Sequence, residues 1–99
     1  MKRPPKPNQE PPAPKRYRVE FSPQAAKQFK KLPLKIAQQV KTEIAMLSDN
    51  PRPYGYLKLK GREGYRIRVG DYRVLYSIFD AVLLVEIVKV GTRGNFYNE

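Results

Sequence analysis

Between Gly64 and Ile78 the chain reads GYRIRVGDYRVLYSI, which brings Arg66, Arg68 and Arg73 close together. A guanidinium does not give up its proton near neutral pH, but its planar fork binds phosphate oxygens two at a time. Three such groups, with Lys58, Lys60 and Arg62 just upstream, suit a cradle for the phosphates of a polyanionic ligand. Composition removes several other chemistries. The chain has no histidine and no cysteine, so a serine–histidine triad, a thiolate nucleophile and the usual zinc sites are excluded. No metal and no cofactor is expected. With 20 Lys and Arg against 9 Asp and Glu, the net charge is +11, which speaks about partners rather than fold and points to nucleic acid or an anionic membrane surface.

Strand geometry sharpens the question these arginines raise. If Gly70-Asp71 is a two-residue turn, Val69 faces Tyr72, Arg68 faces Arg73, Ile67 faces Val74 and Tyr65 faces Tyr76. Opposed residues share a side of the sheet. One side then carries Tyr65, Ile67, Val69, Tyr72, Val74 and Tyr76, a seat for helices, and the other carries Arg66, Arg68 and Arg73. Like charges directly opposed cost up to about 1 kcal/mol, and a sheet shaped by stability alone would alternate sign there. By the same count Glu86, on the next strand, falls opposite Leu75 and neutralises part of the cluster. The plainer alternative is a solvated polar face with ordinary strand arginines. At the far end of that face Phe79, Val82, Leu84 and Val88 are apolar, either covered by neighbouring strands or left exposed for a protein partner.

The elements that position this face follow from periodicity. Residues 1–16, MKRPPKPNQEPPAPKR, hold six of the ten prolines and almost nothing large and apolar, so they are expected to form a disordered basic tail. Residues 17–99 form the domain. Tyr17, Val19 and Phe21 alternate with Arg18 and Glu20 as a half-buried strand. Ser22 then caps a short helix with Pro23 at its first position and Ala25, Phe29 and Leu32 on one face. Leu32-Pro33 breaks it. A second helix is predicted from about Leu34 to Ser48, with Ile36, Val40, Ile44 and Leu47 as its buried stripe. Three strands remain, joined by turns at Gly70-Asp71 and Asp80-Ala81. The fold class is α+β: a small antiparallel sheet with two N-terminal helices on one face, in the order β-α-α-β-β-β. No apolar run reaches the roughly 18 residues of a spanning helix, and nothing near Met1 looks like a signal sequence. A soluble cytoplasmic protein is expected.

The opening FSPQAAKQFKKLP, the hairpin LKGREGYRIRVGDYRVLY and the ending VGTRGNFY, in this order and spacing, resemble the RelE/ParE toxin superfamily of toxin–antitoxin modules over residues 17–97. The resemblance implies the same fold, and a RelE-type toxin that enters the ribosomal A site as an endoribonuclease and cleaves mRNA there. It implies site residues Arg66, Arg68, Arg73, Arg93 and Tyr97, with Lys58, Lys60 and Arg62 as further RNA contacts. It also implies a RelB-like antitoxin as partner. Where relatives carry lysines, this chain has Arg66 and Arg68, which are poor proton acceptors, so Glu63 and Lys60 are the candidate general bases. Two alternatives remain on the same fold: a ParE-like toxin that inhibits DNA gyrase without cutting RNA, and a non-catalytic RNA-binding module.

Overall fold

Ser22 and Pro23 start the helical layer. In a computed structural model of the chain, which describes residues 16–92, Ser22 is extended and its Oγ accepts the Ala25 N–H at 3.0 Å. Losing such a cap typically costs about 1 kcal/mol. The elements are β1 (Arg18–Phe21), α1 (Pro23–Lys30), α2 (Leu34–Asp49), β2 (Leu57–Lys58), β3 (Tyr65–Val69), β4 (Tyr72–Phe79), a 3-10 turn (Asp80–Val82) and β5 (Leu84–Thr92). Lys27 and Lys30 lie in the last turn of α1, where cations favour the helix dipole. Val40, Ile44 and Leu47 are the buried stripe of α2, and Ile36 packs at its margin.

The sheet order is β1-β5-β4-β3-β2. The Gly70 hairpin has the predicted register, with Tyr65, Ile67, Arg68 and Val69 opposite Tyr76, Val74, Arg73 and Tyr72. Gly70 takes a φ of +61°, which glycine adopts without the Cβ penalty. Ile67, Val69, Val74, Tyr76, Val85, Ile87 and Val90 close one core with Ala25, Val40, Ile44 and Leu47, so both helices lie on the side that the alternation predicts. Each large side chain buried there contributes about 1.5–3 kcal/mol.

Three features depart from the sequence expectation. First, β1 pairs with β5 in parallel, so the sheet is mixed; alternation marks a strand as half-buried but carries no sign of its direction. Second, Leu57 and Lys58 form an extra edge strand against Arg66 and Tyr65. Two residues are too few to show a period. The return to β3 depends on Gly64 (φ +118°), where a Cβ would stand 3.3 Å from the Tyr76 carbonyl oxygen. Third, the Asp80-Ala81 turn is longer than two residues. Phe79 pairs with Leu84, and the link is the 3-10 turn followed by Leu83 in the left-handed region at φ 51°.

An aromatic ladder and a polar latch join the sheet to the loop after α2. Tyr56, Tyr65 and Tyr76 are in ring contact in sequence. The buried Tyr76 hydroxyl donates to the Pro51 carbonyl at 2.7 Å, and burial pushes its pKa above the ordinary tyrosine value. Arg52 grips the Asp80 carboxylate with both terminal nitrogens, at 3.2 and 2.8 Å, while its guanidinium lies 5.6 Å from the centre of the Tyr65 ring. Tyr17 donates to Asp80 Oδ1 at 2.6 Å. This hydrogen bond holds the phenol's pKa above its usual value. No described helix is long and apolar enough to cross a membrane.

Candidate nucleic-acid interface

The face of the sheet away from the helices is set by the ladder itself. Arg68 stands opposite Arg73, Arg66 opposite Leu75, Leu75 opposite Lys89, and Arg73 opposite Gly91. Arg66, Arg68, Arg73, Leu75 and Lys89 therefore share this face. Although no described helix covers it, Leu75 is only 5% exposed, Arg73 8% and Lys89 9%. Part of the shelter comes from the segment running from β2 to β3. Leu57, Lys58, Leu59, Lys60 and Arg62 form one wall of an open hollow of about 410 Å³ whose floor is Arg66, Arg73, Leu75 and Lys89. Among the described residues lining it, six are basic, three are leucines and none is acidic. Cations gathered on partly apolar walls focus a positive potential into the hollow. The shape and sign suit a phosphodiester backbone, with the leucine surfaces available to sugars or bases.

The residues singled out from the sequence divide unevenly over this site. Arg66, Arg73, Lys58, Lys60 and Arg62 meet in the hollow. Arg68 is on the same face but exposed, at the hairpin end opposite Arg73. Glu63 lines a neighbouring hollow of about 310 Å³ with Lys58, Gly64, Tyr65, Ser77, Ile78 and Phe79, so of the two candidate bases Lys60 is the one among the cations. Arg93 and Tyr97 lie outside the described residues, as do residues 1–15 of the proposed tail. Among the described residues no cluster of three or more Asp, Glu, His or Cys is arranged to hold a metal ion. At the far end of the face Phe79 and Val82 are exposed, at 46% and 66%, while Leu84 and Val88 are half-buried.

One expectation is corrected. Glu86 is not opposite Leu75; it pairs with Ser77 and lies beside Glu20 of β1, where Glu20 also takes Arg18 at 2.9 Å. The longer link after Phe79 moves it, since Phe79 pairs with Leu84; a β-bulge at Val88 then sets Lys89 rather than Val88 opposite Leu75. The position expected to hold a neutralising acid holds a lysine. Its signal is visible in the sequence, because the inward residues Val85 and Ile87 are followed by Val90 rather than by residue 89, a slip of phase that a bulge produces.

Comparison with known proteins gives this geometry its class. Residues 19–97 match the family described as ParE toxin of type II toxin-antitoxin system, parDE. The chain belongs to that family, as a RelE-like toxin of a toxin–antitoxin system. A putative RelE-like toxin protein from Escherichia coli is 35% identical over 88 residues, covering 84% of this chain and 92% of the relative. The mRNA interferase toxin RelE of Escherichia coli K12 is 29% identical over 80 residues, covering 78% and 83%. Among solved structures, RelE in the archaeal RelE–RelB complex from Pyrococcus horikoshii superposes with a TM-score of 0.70 at 32% identity, covering 79% of this chain and 96% of that one.

Proposed function

We propose that this toxin is a ribosome-dependent endoribonuclease that cleaves mRNA in the ribosomal A site and stops translation, and that a RelB-like antitoxin holds it inactive. The observation that carries the reading is the buried Arg73 at the floor of a hollow whose described lining holds six basic residues and no acid, on the sheet face that no described helix covers. RNA brings its own nucleophile, so the reaction needs no metal. A base takes the proton of a 2′-hydroxyl, the 2′-oxygen attacks the adjacent phosphorus, and the 5′-oxygen leaves with a proton, giving a 2′,3′-cyclic phosphate and a 5′-hydroxyl. Arg73 stabilises the charge that builds on the pentacoordinate phosphorus, where fixed cations have their largest effect. Arg93 supplies a second cation and the leaving-group proton, and Tyr97 stacks on the neighbouring base. Arg66 and Arg68 hold flanking phosphates, and Lys58, Lys60 and Arg62 guide the strand. Lys60 is the better-placed candidate base because it lines the hollow and Glu63 does not.

Neutralisation follows from the same surface. An acidic antitoxin would complement the +11 charge and cover the exposed Phe79 and Val82 beside the basic hollow, and RelE of Pyrococcus horikoshii was solved with RelB. Single-turnover cleavage of mRNA on programmed ribosomes tests the nuclease reading. The wild type cuts at the A site, and Arg73→Ala binds ribosomes but cuts about 100- to 1,000-fold more slowly. Equal losses of binding and rate would reduce the hollow to a plain electrostatic patch. A second reading, inhibition of DNA gyrase, is favoured by the ParE description of the family itself. A gyrase supercoiling assay beside the cleavage assay separates the two.

A further inference from the structure

Lys89 reaches the basic face only because of the bulge at Val88. Continuing the pairing of Tyr76 with Ile87 and Ser77 with Glu86 without an extra residue would set Lys89 opposite Val74, whose side chain is wholly buried under the helices. The extra residue flips it to the other side, opposite Leu75, because strand side chains alternate with a period of two. The irregularity is held from the helical layer. The Ser22 hydroxyl donates to the Val88 carbonyl at 2.9 Å, and the Val90 N–H donates to Gln28 Oε1 at 2.7 Å. The bulge thus adds a third basic residue, 9% exposed, to the floor of the hollow beside Arg66 and Arg73, and several cations around one point suit a phosphate's oxygens.

We infer that Lys89 is a substrate-contacting residue: its ammonium, delivered by the Val88 bulge, binds the non-bridging oxygens of the RNA phosphate that sits between Arg66 and Arg73. The inference rests on the RNA-cleavage reading for its ligand. It adds to that reading a compact point charge with three donors at the floor of the hollow, where two arginine forks bind from the sides. Lys60, Arg62 and Lys58 contact the strand further along the wall.

The test uses the full chain and a 2′-O-methylated oligoribonucleotide, which keeps the phosphates but lacks the nucleophile. Lys89→Met preserves the length of the apolar stem and removes the charge. It is expected to weaken binding about tenfold or more and to lower the slope of log affinity against log salt by about 0.7, the loss of one phosphate contact on a single strand. Lys89→Arg restores the slope. Lys35→Met, which removes an exposed cation from α2, leaves it unchanged. Lys89→Gln carries the same expectation should methionine disturb folding. A wild-type slope in both neutral variants, with only a shift in melting temperature, overturns the inference and makes Lys89 a structural residue. A wild type that never cleaves ribosome-bound mRNA overturns the nuclease reading instead, and the slope still decides the contact.

Discussion

The two faces of this sheet are written on the same strands and obey opposite rules. On the helix side every opposed pair agrees with packing: Ile67 meets Val74, Tyr65 meets Tyr76, and Val74 meets Val90, all joined in or against one apolar core. On the other side Arg68 meets Arg73, and Lys89 meets the leucine between the arginines. The first face explains why the chain folds. The second sets like charges opposite one another, which packing alone does not favour. Stability and function are thus separated by a sheet one residue thick, and substitutions on its two sides should fail in different ways.

The largest effects should come from crossing that division. Arg73→Ala is expected to slow cleavage by about 100- to 1,000-fold, well beyond any loss of folded protein; parallel thermal unfolding and single-turnover kinetics separate the two. Leu47→Ala, on the other side, should lower stability by about 2–5 kcal/mol with the cleavage rate per folded molecule unchanged, measured by denaturant titration and active-site counting. A rate loss in Leu47→Ala beyond its loss of folded protein would break the separation. Tyr76→Phe should cost about 1–3 kcal/mol, because the Pro51 carbonyl loses a buried donor. It also changes the alkaline limb. Burial raises the Tyr76 pKa in the folded state, so its contribution is complete below the unfolded value near 10 and falls as pH rises through the folded value. Replacing it should flatten the fall of stability above about pH 10. The smallest effect concerns the tail: deleting residues 2–16 should leave the melting temperature unchanged and make the salt dependence of RNA binding shallower. A clear fall in melting temperature would show that the tail packs on the domain.

Legibility in the sequence divides along the same line. The helix-covered face could be read almost residue by residue, because burial imposes period two on strands and a 3.6-residue stripe on α2, and because Ser22, Pro23, Pro33 and Gly70 punctuate the chain with definite backbone demands. Arg66, Arg68 and Arg73 were legible as the complement of that face. Apart from the slip of phase at Val88, what escaped has no periodic signal. The direction of β1 depends on a distant partner, β2 is two residues long, and the turn at Asp80 rests on a left-handed Leu83 that no residue preference announces. The longer link at Asp80 moves Glu86 to Ser77, and the bulge at Val88 flips the residues beyond it, so the place expected for Glu86 is held by Lys89.

The central claim is that the arginine-bearing face cuts RNA rather than merely binding it. Mapping mRNA 5′ ends after brief induction of the toxin in cells, with and without translation, tests it most directly. The account predicts new 5′-hydroxyl ends within translated codons for the wild type, their disappearance when translation is blocked, and their absence with Arg73→Ala. Growth arrest by the wild type with an unchanged set of 5′ ends would contradict it.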